Sequence, residues 1–508
     1  MKKILIPFLF LAFIQTSYSG VNLKNGNFYI AFTDVIIKDS LWKDLEITRT
    51  YNSKSVYYGP FGFGWGFLFD THLVITPEFS IAVKNHGAGG TSYFESEQTN
   101  DENIQKNTDL IIDAAYKAGN ISSPEQEIKL TNKLISSMSN RLKYFTKYRN
   151  AGLLDSVGHK MDMIYYSQGC GCIGEVKPGY SYIISTDKGY SYYDYQSNNI
   201  FTFNTIGKMT GLASMKNPGN YWTISYNDKN QIERVNSYSG DWLSFKSDSS
   251  NRIVEISSSQ SASVAKFRYK GVKMITCKDV ANNYNKFVYD KVYNMTKVIY
   301  NPIRLKGSPE DAKHMIYEPR TYFISKIIER DSSFTTYSYP HVSADEYGVN
   351  VVNYEKDSTI TKDITEWWFI KANDHGKRWT YKKVNIVNGD TTTRAFHEIS
   401  RKPLMVATPL DTYYFTYDPT GLLLNAKASL TDSLIVNYDE NKDISSIQYL
   451  NTRFKLLKDE KGYSKLILPD KEQIDLPIKD FSRPEIINYK DQLQEIKKMF
   501  VLSYYSIL

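Results

Sequence analysis

The sequence has 508 residues and a formal net charge of +7, with 62 Lys and Arg against 55 Asp and Glu. So small a charge on so long a chain does not suggest the clustered basic face that nucleic-acid binding requires, and we expect no nucleic-acid partner. Tyr is the dominant aromatic residue, with 41 copies against 25 Phe and 7 Trp, which favours half-buried β-strands.

The N-terminus has the pattern of a secretory signal peptide. Two lysines precede an uncharged apolar run over residues 4–14, which is shorter than the roughly 20 residues that a spanning helix needs. Small residues at Ser17 and Ser19 fit a cleavage site after Ser19, and an uncleaved anchor is the alternative. We predict export to the periplasm, cell surface or extracellular space, without a transmembrane span and with possible peripheral attachment to the envelope.

Short strands and glycine-rich turns follow the predicted signal. Residues 45–53 have the pattern of a strand that ends in a turn, and Gly59 to Gly66 form a tight loop with Phe61 and Trp65 as its packing residues. A phosphate-binding loop is the functional alternative, but such a loop would need a following helix and usually a Lys-Ser or Lys-Thr pair. Residues 65–69 have the pattern of a strand, so we interpret the loop as structural.

Residues 98–152 interrupt the β pattern with helical spacing. Apolar residues recur at helical intervals from Ile104, and Ser123-Pro124 with Gln126 predicts a capped helix start. We predict two helices within residues 102–150, inserted as a hairpin. The insertion is interpreted as a packing or lid element, with a partner-binding helix pair as the alternative.

Three cysteines occur, at Cys170, Cys172 and Cys277. In an oxidising compartment two of them could pair, and the sequence does not choose which. The seven His show no ligand spacing beside these cysteines, so we predict a structural or free-thiol role and no metal site or cofactor.

Segments of one form recur from about residue 185 to residue 450. Each is an alternating aromatic strand, then Asp or Asn with turn residues, then a second alternating strand. The spacing is 19 residues from Tyr226 to Phe245, 20 from Tyr269 to Tyr289 and 21 from Tyr417 to Tyr438. One hairpin per 20 residues cannot bury its own face, so neighbouring hairpins must pair into one continuous sheet.

These segments resemble the YD repeats of RHS and teneurin-type proteins in a degenerate form. The best matches are Tyr417-Asp418 with Gly421-Leu422, then Tyr289-Asp290 and Tyr438-Asp439. The opening segment looks like the conserved opening domain of RHS-repeat proteins, through residues 21–23, 26–27, 33–34, 45–53, 59 and 61–65. The resemblance implies a mainly β fold in which a YD-repeat hairpin sheet spirals into a shell.

RHS toxins carry a self-cleaving core before a C-terminal toxin domain. Asp418-Pro419-Thr420-Gly421 resembles the Asp-Pro-x-Gly pattern of that core only superficially, because further repeat strands follow it. We therefore expect neither self-cleavage nor a C-terminal toxin domain. The C-terminal segment instead predicts an amphipathic helix. Ser482 and Glu485 have the pattern of a capping box, and an apolar stripe follows at Ile486, Tyr489, Leu493, Ile496 and Phe500. This helix is expected to dock on the sheet, and binding to a partner or a membrane is the alternative.

No catalytic arrangement is apparent, so we predict no catalytic, cofactor-binding or metal residues. Trp367, Trp368 and Trp379 could stack on sugars, although cross-strand packing is the plainer interpretation. We predict a non-enzymatic shell or cell-surface protein for recognition, adhesion or encapsulation, whose ligand is an unknown protein or glycan. A secreted protein that binds or cleaves carbohydrate is the alternative. The predicted divisions are 1–19 signal peptide, 20–97 opening β domain, 98–152 helical insertion, 153–450 β shell, and 451–508 C-terminal strand and amphipathic helix.

Overall fold

The computed structural model describes residues 17–39, 42–87, 89–168, 170, 172–177, 180–301, 310–372, 378–398, 401–418, 421–428, 433–440, 443–459, 462–476 and 489–503. The predicted apolar run of the signal peptide and the predicted capping box at Ser482 and Glu485 lie outside these residues. Within them the chain is mainly β, and the predicted long antiparallel hairpin sheet is confirmed.

The chain opens with a small sheet that is separate from the repeats. Its elements are β1 (Ser17–Asn22), β2 (Asn27–Ile37), β3 (Leu45–Asn52), β4 (Tyr58–Gly59), β5 (Gly62–Phe63), β6 (Trp65–Phe67) and a 3-10 turn at Leu68–Asp70. Strands β1, β2, β3 and β6 pair in that order, while β4 and β5 form their own hairpin. Cleavage after Ser19 would remove the first three residues of β1.

The remaining strands form one long antiparallel sheet. They are β7 (His72–Ile75), β8 (Ser80–Lys84), β9 (Thr91–Glu95), β10 (Ile164–Ser167), β11 (Tyr182–Thr186), β12 (Gly189–Asp194), β13 (Asn199–Phe203), β14 (Met209–Ser214), β15 (Tyr221–Tyr226), β16 (Ile232–Ser237), β17 (Trp242–Ser247), β18 (Ile253–Ser258), β19 (Ser261–Lys270), β20 (Lys273–Lys278), β21 (Tyr284–Tyr289), β22 (Met295–Tyr300), β23 (Ala312–Tyr317), β24 (Ile324–Ile328), β25 (Phe334–Val342), β26 (Glu346–Tyr354), β27 (Ile360–Ala372), β28 (Arg378–Val387), β29 (Asp390–Phe396), β30 (Pro403–Ala407), β31 (Thr412–Tyr417), β32 (Leu423–Ala428), β33 (Ser433–Tyr438), β34 (Ile444–Tyr449), β35 (Thr452–Asp459), β36 (Gly462–Ile467) and β37 (Gln473–Asp475).

Sequence order and spatial order coincide in this sheet. Each strand from β10 to β36 pairs with the next strand along the chain, and β9 pairs with β10 across the helical insertion, with Glu95 opposite Tyr166. A bridge between His72 and Lys208 brings β7 against the turn that precedes β14. The result follows from two-strand units that have no core of their own and must pair with their neighbours.

In several hairpins a tyrosine forms a link to the hairpin before it. The Tyr269 hydroxyl donates to the carbonyl oxygen of Ile253 at 2.6 Å, and the Tyr417 and Tyr438 hydroxyls donate in the same way to Pro403 and Leu423. Several of these tyrosines lie at a shift of register that ends the ladder of the first strand. The repeated tyrosine of the sequence is therefore a half-buried link between neighbouring hairpins.

The acidic or amide residue after the tyrosine closes the turn. Asp290 Oδ1 accepts a hydrogen bond from the Asn294 amide at 2.8 Å, and Asp439 Oδ1 accepts one from the Asp443 amide at 2.9 Å. Asp and Asn favour such turns because their short side chains can satisfy nearby backbone donors. In the Tyr-Asp pairs of the sequence, the Asp therefore closes the turn of its own hairpin.

The insertion between β9 and β10 contains three helices, α1 (Asp101–Lys117), α2 (Pro124–Ile135) and α3 (Met138–Asn150). The predicted helical hairpin is therefore wrong in the number of helices. The predicted start at Ser123 and Pro124 is correct, with the Ser123 side chain accepting from the Gln126 amide. The predicted second helix is split because the Ser137 side chain caps a new helix by accepting from the Asn140 amide.

A buried ionic contact holds this insertion on the sheet. Arg141 Nε of α3 donates to Glu78 Oε2, in the turn between β7 and β8, at 2.6 Å. Asn107 of α1 donates to the same oxygen at 2.6 Å, and Ser80 donates to Glu78 Oε1 at 2.9 Å. Two helices and a strand thus converge on one carboxylate.

The opening sheet packs against the hairpins and fills the first part of the core. One contiguous cluster runs from Phe28 and Trp65 of the opening sheet to Phe267, Phe287 and Ile327 of the repeats. Backbone groups also cross between the two, since the Phe63 amide donates to the Val272 carbonyl at 2.9 Å. Gly62 lies at φ 88° and a Cβ there would come within 2.7 Å of the same carbonyl oxygen, so glycine is required.

A fourth helix, α4 (Lys490–Leu502), covers the later hairpins. Its buried residues Leu493, Ile496 and Phe500 join a second core cluster with Tyr413 and Leu434 of the sheet. The predicted apolar stripe thus faces the sheet, as the docking prediction requires. The described helix begins at Lys490, and the predicted start at Ser482 lies outside the described residues.

Candidate functional site

A cavity of about 440 Å³ lies beside the hairpin of β27 and β28. It is the strongest candidate for a binding site because cationic and aromatic side chains converge on it from four separate parts of the chain. Its lining residues are Lys24, Trp368, Arg378, Trp379, Thr380, Lys383, Phe396 and Arg401. We call it the basic cavity.

The hairpin supplies five of the eight lining residues. Trp368 on β27 lies opposite Lys383 on β28, and Arg378 begins β28. The register shifts by one residue between Phe369 and Ile370, so the ladder is irregular between these lining positions. Bulges of this kind re-aim side chains and are frequent beside functional sites.

Lys24 reaches the hairpin from the turn between β1 and β2. Its ammonium donates to Thr380 Oγ1 at 3.1 Å and lies 5.8 Å from the centre of the Tyr347 ring. Burial lowers the pKa of Lys24, and the nearby charges of Arg401 and Lys383 lower it further. The opening sheet therefore contributes a desolvated cation to a cavity built from the late repeats.

Arg401 and Trp379 each place a buried N–H group at the cavity. The Arg401 guanidinium lies 5.2 Å from the Trp379 ring centre. In the part of the chain that the structure describes, Arg401 Nη1 and Trp379 Nε1 are buried and have no hydrogen-bond acceptor. A buried unsatisfied donor costs about 1–3 kcal/mol, so two at one cavity call for a ligand or ordered water.

The backbone at Arg401 supports a functional interpretation. Its φ is 59°, in the left-handed region that residues with a long side chain rarely adopt. The turn that holds it is closed by the His397 amide, which donates to the Lys402 carbonyl at 2.8 Å. Strain of this kind persists where the surrounding structure imposes it, and ligand-binding positions are among those places.

The charges around the basic cavity are only partly balanced. Arg378 is paired with Asp345, and Lys383 is paired with Glu366 at 2.9 Å. Lys24 forms no ion pair with any carboxylate of the described residues. The polar side-chain atoms of the lining are all N–H donors except for the Thr380 hydroxyl, which can also accept, so the cavity is suited to an acceptor-rich, negatively charged group.

Aromatic surface forms the rest of the wall. The Trp368 ring stacks on Tyr347 with the centres 4.9 Å apart, and both Trp368 and Trp379 are only 8% exposed. Trp367, the other half of the predicted pair, does not line the cavity and instead packs against Gly348. Of the three tryptophans singled out in the sequence, two therefore meet at one site.

Most of this site could not be found from the sequence. Lys24, Arg378, Lys383 and Arg401 form no local motif, and Lys24 lies 356 residues before Thr380. The two tryptophans were the single visible signal. Their partners are decided by strand pairing and by the position of the opening sheet.

The other residues singled out in the sequence have structural roles. Cys170 and Cys172 form a disulfide, and Cys277 is a buried free thiol whose pKa burial raises to about 12. Asp418 closes the turn between β31 and β32, where its Oδ1 accepts from the Leu422 amide at 2.7 Å. Positions 419 and 420 lie outside the described residues.

The described residues contain no group of three or more His, Cys, Asp or Glu side chains placed to hold a metal ion. No helix among them is long and apolar enough to cross a membrane.

Comparison with known proteins gives a partial family match and a likeness of fold. Residues 19–93 match the family described as Domain of unknown function (DUF6531). No curated protein matches the chain. One similar solved structure is the crystal structure of TcdB2-TccC3-TEV, with a sequence identity of 7% and a TM-score of 0.34. The similarity extends over 87% of this chain and 24% of the other chain.

The Tc holotoxin pore of Photorhabdus luminescens is a second similar structure. Its sequence identity is 6% and the TM-score is 0.33, and the similarity extends over 88% of this chain and 27% of the other chain. The chain therefore spans about a quarter of the length of these structures. At this level of similarity no functional residue is transferred from them.

Proposed function

We propose that the chain is an exported, non-enzymatic β-shell protein of RHS type that recognises an acidic glycan in the basic cavity. The observation that carries the proposal is the donor-rich lining, in which Lys24, Arg401 and Trp379 offer N–H groups beside aromatic surface. A uronic acid or a sulfated sugar supplies the matching carboxylate or sulfate oxygens and an apolar ring face.

Binding without cleavage is the chemistry that this lining favours. Glycosidases generally use two carboxyl groups that flank the scissile bond. The described residues that line the cavity include no Asp or Glu. The nearby Glu366 and Asp345 are each paired with a cation, and the charge of Glu398 acts on Arg401. Recognition or adhesion is therefore proposed in place of carbohydrate cleavage.

The test is binding of oligogalacturonates to the full chain, measured by calorimetry. Fully methyl-esterified oligogalacturonates have the same rings without the charge and serve as the ligand control. We expect the acid form to bind and the ester to bind at least tenfold more weakly. Equal binding of both, or no binding of either, would contradict the proposal.

Variants assign the binding to this cavity. Arg401→Gln and Lys24→Met should each weaken binding of the acid form about tenfold or more, because each removes a desolvated cation. Lys362→Met, at an exposed position on β27, is the matched control and should bind as the wild type does. Assay for new reducing ends in the same mixtures should detect none.

Export is tested separately from recognition. Mass spectrometry of the protein from a fractionated host should find a mature N-terminus at Gly20 in the periplasm, at the cell surface or in the medium. Recovery of intact Met1 from the cytoplasm would contradict export and leave the binding experiment unaffected.

A further inference from the structure

A second cavity, of about 350 Å³, lies where the opening strands meet the first hairpins. We call it the junction cavity. It is bordered by Tyr58–Gly59 of β4, by residues 70–73, by the turn before β14, and by the later turns at residues 230–232 and 250–251, with Arg149 of α3 at its edge.

The opening segment supplies hydrogen-bond acceptors to this cavity. Asp70 Oδ2 accepts from the Tyr57 hydroxyl at 2.6 Å, and Asp70 is one of the residues that line the cavity. His72 Nδ1 lies 3.2 Å from the Asp70 carbonyl oxygen, so it carries the proton and leaves Nε2 as an acceptor. Burial lowers the pKa of His72, which keeps its ring neutral.

Thr71 gives an independent indication of a ligand. Thr71 is a lining residue and is only 2% exposed, yet its hydroxyl has no hydrogen-bond partner in the described part of the structure. A buried hydroxyl at a cavity wall ordinarily finds a partner. A ligand hydroxyl or ordered water would satisfy it.

The repeat turns supply donors to the same space. Lys208 Nζ lies 4.9 Å from the Tyr226 ring centre and donates to the Asn230 carbonyl oxygen at 2.6 Å, which leaves two of its three donors. Asn230 and Asn251 both lie at positive φ, near 62° and 61°, in turns that border the cavity. Their side-chain amides offer a donor and an acceptor each.

Aromatic rings complete the wall. Tyr57 stacks on His86 with the ring centres 3.6 Å apart, and Tyr226 is fixed by its hydroxyl, which donates to the Met209 carbonyl at 2.7 Å. Phe67 and Phe69 line the inner side. Flat aromatic faces beside a carboxylate and amides are suited to the apolar face and hydroxyl rim of a sugar ring.

We propose that the junction cavity is a second binding site, which takes a neutral saccharide. A neutral polyol both donates and accepts hydrogen bonds, and this lining offers both kinds of partner. An anion is disfavoured above about pH 7, where the Asp70 carboxyl at the cavity is ionised, and a cation is disfavoured because Lys208 and Arg149 border the cavity. The proposal is independent of the acidic ligand proposed for the basic cavity, whose lining offers almost only donors.

The test uses the full chain with the methyl glycosides of glucose, galactose, mannose, xylose and N-acetylglucosamine, observed by saturation-transfer NMR and titrated at millimolar concentrations. We expect at least one of them to bind. Asp70→Asn and Thr71→Val should each weaken that binding fivefold or more. Asp187→Asn, an exposed Asp in the turn between β11 and β12, is the matched control and should change it less than twofold.

Two readouts keep the test decisive. Thermal unfolding of each variant shows whether it is folded, and oligogalacturonate binding to the basic cavity should be unchanged in all three. Binding of none of the five glycosides would overturn the proposal, and so would binding that Asp70→Asn and Thr71→Val both leave intact. Binding of inorganic sulfate in competition with the glycoside would also overturn it, because the site would then be an anion site.

Discussion

Arg49 Nε donates a hydrogen bond of 2.6 Å to Asp34 Oδ2, and both side chains are completely buried. The guanidinium also lies 4.7 Å from the Trp65 ring centre and donates to Cys277 Sγ in the repeats at 2.7 Å. One cation thus connects two strands of the opening sheet with β20. Through this contact we expect the stability of the opening sheet and that of the hairpins to depend on each other.

Asp34→Asn should destabilise the whole first part of the fold. The change leaves the Arg49 charge buried without a carboxylate, which costs about 3–5 kcal/mol. Asp44→Asn is the control, since Asp44 pairs with the exposed Lys38 and a surface pair contributes about 0–1 kcal/mol. Urea unfolding followed by tryptophan fluorescence compares the two, and equal free energies of unfolding would contradict the assignment.

Arg141→Met should release the helical insertion from the sheet. It removes the buried partner of Glu78, and we expect a loss of about 3 kcal/mol together with proteolytic cleavage within residues 101–150. Lys143→Met, at an exposed position on the same helix, should be cleaved no faster than the wild type. Cleavage first in the hairpins would show that the helices are not held by this contact.

Asp70 should make stability depend on pH. Burial raises its pKa to about 7 from 3.8. The folded state therefore holds this proton more tightly than the unfolded state, so the group favours folding at low pH and loses that contribution as the pH rises from about 4 to 7. Above pH 7 the ionised carboxylate stays buried and the loss is complete.

Asp70→Asn removes this titration, so its stability relative to the wild type should rise by about 3 kcal/mol from pH 5 to pH 8. Urea unfolding at the two pH values measures the gain, and Asp187→Asn should show none. A constant difference between Asp70→Asn and the wild type at both pH values would contradict the raised pKa.

Tyr417→Phe tests the link between successive hairpins. It removes the hydroxyl that donates to the Pro403 carbonyl at 2.8 Å and should cost about 1 kcal/mol. Tyr414→Phe lies on the same strand, is 50% exposed at that position, and should change the free energy of unfolding by less than about 0.5 kcal/mol. Equal effects of the two substitutions would leave the link without an energetic role.

Ile496→Ala tests the docking of α4. The side chain is completely buried against the later hairpins, so its truncation should cost about 2–5 kcal/mol. Val501→Ala, at a position that is 56% exposed on the same helix, is the control and should be nearly neutral. A helix that bound a partner and not the sheet would give similar melting temperatures for both variants.

Local pattern was sufficient for the class of fold and for several elements. The spacing of about 20 residues and the Tyr-Asp pairs predicted the paired hairpins, because both the turn and the tyrosine link use residues close in sequence. Ser123 and Pro124 predicted the start of α2 for the same reason. The stripe through Leu493, Ile496 and Phe500 predicted a buried helix face, although not which strands would cover it.

Only the tertiary structure determined which residues that are distant in sequence are in contact. The division of the insertion into three helices depends on the N-cap at Ser137. The ion pair between Arg141 and Glu78 joins residues that are 63 positions apart. The basic cavity unites Lys24 with Trp379 and Arg401, and the junction cavity unites Asp70 with Lys208. No local preference encodes these contacts, because they arise from the register of a long sheet and from the position of the opening strands against it.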